Sequence, residues 1–217
     1  MTSRHCLPQA LVLCAAALTL SACVAPHVDS PAAPAQAGRT LATPLADGRT
    51  AEGGFIDGFQ FSEKPGDVAL NPVLFSSGAA RATGVIEPRH GSTWGGIALS
   101  TSLARAGRTL DATSSRALAI SLASAGSDTL RVRLVGPNTA LRDSGCYPVA
   151  IVRVEPALKE YVVPLASFVP ESFCAPNAPA GTAAAAALTA VEVADATVSA
   201  GRRRQVDFTV GTIRVTP

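Results

Sequence analysis

The sequence predicts an all-β fold, an antiparallel sandwich or barrel. Three observations carry this. From Phe55 onward, about ten short apolar runs recur between clusters of Gly, Pro, Ser, Asn and Asp. Several of these runs alternate with period two, the repeat that sends successive side chains to opposite faces of a strand. No amphipathic stripe of helical period lasts longer than a turn or two.

The first elements precede the folded part. Met1 to Gln9 is a short polar start carrying Arg4 and His5, and Ala10 to Leu20 is an unbroken apolar run. Its eleven residues reach about 16 Å as a helix, roughly half a bilayer core, so the run is too short to span and fits a secretory signal. Leu20-Ser21-Ala22-Cys23 follows, and this resembles the lipobox of bacterial lipoproteins. The resemblance implies a signal peptide over 1–22, cleavage before Cys23 and acylation of that Cys. Ordinary signal cleavage would instead leave Cys23 a plain thiol. Acyl chains contribute about 0.8 kcal/mol per buried methylene, so two or three anchor a protein firmly. By the same resemblance, Val24 in place of Asp after the Cys directs the protein to the outer membrane. The expected location is therefore the cell envelope, lipid-anchored. Cys6 and Cys14 leave with the signal.

Residues 23–53 read as the lipidated Cys and a tether. The stretch is rich in Ala, Pro, Gly and Thr, has no aromatic residue, and Pro26, Pro31, Pro34 and Pro44 interrupt any periodicity. Such a segment buries too little apolar surface to offset the entropy of ordering it, and His27 within it reads as solvated.

Residues 54–217 form one β domain, long enough for an adequate core. Phe55 to Phe61 alternates around Gly58; Val73 to Phe75, Ala82 to Glu87 and Trp94 to Thr101 follow. Arg116 to Leu122 places Leu118, Ile120 and Leu122 on one face. In Leu130 to Val135, Leu130, Val132 and Leu134 point inward while Arg131 and Arg133 point the other way. Tyr147 to Val154 is apolar on both faces, as a central covered strand is. Glu160 to Leu165, Leu188 to Val193 and Val206 to Val215 complete the series, with a helical turn at Ala183 to Ala187.

Composition removes several function classes. Eighteen basic residues face sixteen acidic ones, a formal charge of +2; a nucleic-acid binder needs a larger basic excess to displace counterions. Of three His, His90 alone falls in the domain, so any Ser-His-Asp or Cys-His arrangement must use it. No Gly-x-Ser-x-Gly elbow, phosphate loop or zinc-ligand spacing occurs. Paired carboxylates for glycoside hydrolysis remain available among seven Glu and nine Asp, without a motif around them.

Gly91-Ser92-Thr93-Trp94-Gly95-Gly96-Ile97-Ala98-Leu99, then Leu110-Asp111-Ala112-Thr113-Ser114-Ser115-Arg116-Ala117-Leu118, followed by 130–134, 160–168 and 206–213, resembles secreted galactose-binding-like jelly rolls. Similar patterns occur in some carbohydrate-binding modules and in domains of the complex I intermediate-associated type. The resemblance covers the domain from about Phe55 to Val215 and implies a β-sandwich with a ligand-capable face or edge and no catalysis. Modules of this shape often hold a structural calcium; Asp57 and Asp207 are the candidate ligands, meeting only if the first and last strands pair. Glycan faces usually stack sugars on several aromatics, yet this chain has one Trp, two Tyr and seven Phe, and its Phe residues read as core.

The candidate ligand-binding residues are Trp94, Arg131, Arg133 and Tyr147. Trp94 and Tyr147 are either buried side chains or stacking platforms. The two arginines are either a solvated strand face or donors to sugar hydroxyls, carboxylates or phosphates. Arg202-Arg203-Arg204 reads as a charged hairpin tip, or as a contact for anionic head groups. Two functions stay open: a non-catalytic envelope lipoprotein binding a glycan, or an assembly module recognising an envelope protein. An exposed Trp94 or Tyr147 in a groove favours the first, and a flat aromatic-free sheet face the second. Two carboxylates in a deep pocket would revive an enzyme. Cys146 and Cys174 are an even pair in an oxidising compartment and are expected to be bridged if their strands are neighbours; otherwise both are free thiols.

Overall fold

The computed structural model describes residues 38–103, 105, 108–196 and 202–217. The signal segment, Cys23 and the tether as far as residue 37 lie outside the described residues.

Twelve strands occur among the described residues: β1 Arg39–Ala42, β2 Ile56–Ser62, β3 Val68–Leu70, β4 Leu74–Ser76, β5 Ala79–Ile86, β6 Gly95–Ser102, β7 Ala117–Ser124, β8 Thr129–Val135, β9 Val149–Arg153, β10 Lys159–Pro164, β11 Ala190–Asp195 and β12 Arg204–Thr216. They form a two-sheet antiparallel sandwich. One sheet runs β10-β7-β12-β5-β3, with β1 also on β12 and β4 on β5; the other runs β2-β6-β11-β8-β9. Two single helical turns sit in the connections, α1 Thr139–Asp143 and α2 Gly181–Ala184, and the Asn138 side chain caps α1 by accepting the Leu141 N–H.

The core lies between the sheets, where the alternation directs it. Leu130, Val132 and Leu134 of β8 face Leu118, Ile120 and Leu122 of β7 across one continuous buried cluster. Each such side chain taken out of water stabilises the fold by about 1.5–3 kcal/mol. Along β12, Val206, Phe208 and Val210 point inward, and then the parity changes to Ile213 and Val215. The cause is a bulge: Val210 pairs with Leu122 but Ile213 with Ile120, so one extra residue re-phases the strand and keeps its apolar set in the core.

Three expectations are corrected. Residues 39–53, assigned by composition to the tether, belong to the sandwich: β1 pairs with the end of β12 (Arg39 opposite Val215), Leu41 and Ala42 are buried, and bridges Pro44–Thr50 and Arg49–Phe55 fold the following turn back. The apolar partner comes from the far end of the chain, so nothing local advertised it. The second correction concerns Tyr147 to Val154, whose strand β9 is an edge and not a central strand. Its inner face packs on the core through Ala150 and Val152; along its free edge Val149 bridges Val169 through the backbone, and on the outer face Ile151 stands 66% exposed. Third, strand β3 joins the edge of the larger sheet where no strand was expected.

Cys146 and Cys174 are bridged, with Cα atoms 5.5 Å apart. Their own strands do not provide the neighbourhood. Cys146 follows α1, Cys174 lies in the connection after Val169, and the Val149–Val169 bridge brings the two segments together.

Candidate functional site

The outer face of the five-stranded sheet carries a groove of about 740 Å³, within the size range of small-ligand clefts. Its floor follows from strand register. One row across the sheet reads Phe59 on β2, Ala98 on β6, Ala194 on β11, Arg131 on β8 and Ile151 on β9; the next reads Asp57, Ser100, Glu192, Arg133 and Val149. Ala98 and Ser100 on β6 and Ala194 on β11 are thus small, with larger side chains on either side, and the trough is that difference in side-chain size. At one end the floor is held low by Gly96, where an added Cβ would lie 2.7 Å from the Phe61 ring and 2.8 Å from the Asp195 carbonyl oxygen.

One rim is aromatic. Phe59 and Phe61 rise from β2, and Trp94 enters from the loop before β6, 53% exposed. Two carboxylates shape that loop. Asp67, buried, accepts the backbone N–H of His90 (2.9 Å) and of Ser92 (3.0 Å), and its Oδ1 lies 2.7 Å from His90 Nδ1. Glu63 accepts the N–H and the hydroxyl of Thr93, the residue before Trp94. Burial opposes ionisation of Asp67, but the His90 and Ser92 donors outweigh it and hold the carboxyl well below the usual carboxylate range. A depressed folded value means stability that is complete above the ordinary carboxylate range and is lost progressively as pH falls from that range toward the depressed value. The Asp67→Asn protein is therefore expected to melt lower than the parent at neutral pH and to lose part of the parent's acid-induced destabilisation. Melting curves from neutral pH down to about pH 3 check this, and parallel curves for the two proteins would contradict it.

The opposite rim is built by the disulfide. Cys146 holds Ser144 and Gly145, while Cys174 holds the segment bearing Glu171 and Phe173, and all four of these residues line the groove. Phe173 is 68% exposed. Gly145 makes the turn with φ +73°, a conformation L side chains rarely adopt, and packs near Arg133 and Phe173.

Between the rims lies an ion-pair network. Arg131 Nη1 donates to Glu171 Oε1 at 3.0 Å, and Arg133 Nη1 donates to Glu192 Oε2 at 3.2 Å, with Glu171 a further 4.0 Å from Arg133. Arg131 also lies over the Phe61 ring, 5.6 Å from its centroid. Burial, then the neighbouring Arg131 charge, pull the Arg133 guanidinium below its usual basicity, and the two glutamates offset only part of this. Arg133 Nε is buried without a partner.

Of the residues singled out from the sequence, Trp94, Arg131 and Arg133 come together here. Tyr147 does not. It is 3% exposed, and its hydroxyl accepts the Asn138 N–H at 2.7 Å, so it closes the α1 loop against the core. Tyr161 packs on the core and accepts the Glu155 N–H. Asp57 and Asp207 lie on different sheets, because β2 pairs with β6 whereas β12 pairs with β1, β5 and β7; Asp207 is taken by Arg81, at 2.7 and 2.6 Å. They do not form a calcium site, and no group of three or more His, Cys, Asp or Glu gathers among the described residues. His90 stays in its loop against Asp67, and the neighbouring Ser92 hydroxyl accepts the Lys64 N–H. Arg203 lies 3.6 Å from Glu87, and Arg204 pairs with the buried Asp195.

Phe59, Phe61, Glu171, Phe173 and Glu192 were not anticipated. For the first two a signal existed. Phe59 and Phe61 share the parity of Asp57 and oppose Ile56, which already placed them on an outer face.

No protein-family model matches the chain, and no curated protein matches its sequence. In structure it is similar to the family 11 carbohydrate-binding module of a cellulosomal cellulase of Clostridium thermocellum, with TM-score 0.52 and 13% identity over 84% of this chain and 96% of that one. It is also similar to a family 11 module of the same organism in complex with a β-1,3-1,4-mixed-linked tetrasaccharide, with TM-score 0.51 and 12% identity over 83% and 97%. The likeness is one of fold: the chain is a two-sheet antiparallel sandwich similar in fold to these modules.

Proposed function

We propose that the chain is a non-catalytic glycan-binding module borne by a lipid-anchored protein of the cell envelope, at the outer membrane. The observation that carries the reading is the groove, with exposed Trp94 and Phe173 at opposite rims and paired arginines and glutamates on its floor. Aromatic faces suit the apolar C–H faces of sugar rings, and a floor of alternating donors and acceptors suits hydroxyls. A tetrasaccharide bound to a module of similar fold supports a glycan as occupant. The groove's two glutamates do not revive a hydrolase. Hydrolysis needs carboxyls free to act on the glycosidic bond, whereas Glu171 and Glu192 are each held by an arginine, Arg131 and Arg133.

The full chain is expected to be retained by at least one polysaccharide in affinity electrophoresis, and Trp94→Ala is expected to weaken that retention about tenfold or more, the worth of one stacked ring. Unchanged retention with an intact fold removes Trp94 from the site. No retention across a broad panel would favour an envelope protein as the partner. For the anchor, Cys23→Ser is expected to release the protein from the membrane fraction or to block its processing. A variant that is processed normally and stays with the membrane contradicts lipidation.

A further inference from the structure

We infer that Glu171 and Glu192 are specificity-determining residues: by occupying Arg131 and Arg133 they make the groove select uncharged glycans and turn away acidic ones. The inference rests on the glycan-binding reading above.

The charges lining the groove cancel, three arginines standing against two glutamates and one aspartate. They also pair within the site. Arg131 holds Glu171, Arg133 holds Glu192, and Arg142 Nε lies 3.4 Å from Asp143. The first two pairs are mostly shielded from water on both sides, so solvent screens them little. A guanidinium grips a carboxylate or sulfate through its free N–H edges, and here the Nη1 edges are already committed.

An acidic sugar entering the groove must therefore displace Glu171 or Glu192. The displaced carboxylate is then left poorly solvated and unpaired beside a second anion, which is the kind of penalty that rejects a wrong partner. A neutral sugar displaces nothing. Its hydroxyls donate to the outer lone pairs of the glutamates and accept from arginine N–H groups not committed to them.

The test measures binding of the full chain to neutral polysaccharides (mixed-linkage β-glucan, xyloglucan, galactomannan) and acidic ones (alginate, polygalacturonate), alongside the isosteric double variant Glu171→Gln, Glu192→Gln. The wild type is expected to bind a neutral polymer and not the acidic ones, with affinity nearly constant between about 0.05 and 0.5 M salt. The double variant is expected to gain affinity for an acidic polymer by about tenfold or more, and to lose that gain in high salt. Glu171→Gln alone gives the same reading if the double variant does not fold. Wild-type binding that favours the acidic polymers, or that collapses in salt, overturns the inference while leaving glycan binding intact. So does a folded variant that gains nothing. Binding to none of the polymers by either protein overturns the glycan reading and this inference with it.

Discussion

Replacing Cys146 and Cys174 together by Ser is expected to destabilise the domain by about 3.5 kcal/mol and to dismantle one rim of the groove. The bridge closes a loop of 28 residues, and the chain-entropy cost of leaving such a loop open in the unfolded state is of that size. Against a typical net stability of about 5–15 kcal/mol this is a large loss. The functional effect has a separate cause. The connection from 168 to 180 contains no strand or helix, and few backbone bonds hold it: Val169 to Val149, and Gly181 back to Phe168. Without the bridge, Phe173 is tied down only through its neighbours, and Glu171 by its ion pairs with Arg131 and Arg133 and by the Cys174 N–H that its carbonyl accepts. Urea denaturation of the oxidised protein and the double-Ser variant gives the stability difference. Glycan binding of the variant well below its own melting temperature gives the functional one. A variant of unchanged stability, or one that binds as the parent does, contradicts this role for the disulfide.

Phe208→Ala is expected to cost about 3–5 kcal/mol, the range for deleting a buried aromatic ring and leaving a cavity behind. Phe208 is 1% exposed and sits on β12, between Ala82 of β5 and Ser124 of β7. Small residues flank it in the sheet, so its ring fills the intersheet space they leave. The midpoint of denaturation should fall with little change in slope. A loss below about 1 kcal/mol would mean that the site relaxes, contrary to close packing there.

The inner faces of the strands were legible because alternation is a local signal. Leu130, Val132 and Leu134 against Arg131 and Arg133 gave both a core stripe and two groove residues from five consecutive positions. Where burial depends on a distant partner, the sequence was mute. Leu41 and Ala42 carry no pattern that separates them from the Pro-rich stretch before them, and only β12 makes them a strand. Tyr147 to Val154 was apolar on both faces, which a covered central strand would explain; here the edge strand keeps Ile151 exposed on its outer face, and Val149 is bridged along the edge to Val169. The site divides in the same way. Trp94 and the two arginines stood out as residue types, whereas Glu171 and Phe173 lie in an irregular connection whose placement is fixed by a disulfide, the bridge to Val149 and ion pairs with Arg131 and Arg133. Tyr147 offered no means of telling a stacking platform from a loop clasp, since the Asn138 N–H that decides it belongs to the tertiary fold.

The chain contains a single Trp, so its intrinsic fluorescence reports on one side chain, and that side chain stands at the groove rim. Titration with a soluble oligosaccharide of a retained polysaccharide, followed by Trp94 emission, is expected to give a saturable change whose midpoint matches the affinity measured by calorimetry. A calorimetrically saturable ligand that leaves Trp94 emission flat would place the glycan elsewhere on the molecule and contradict the groove as its site.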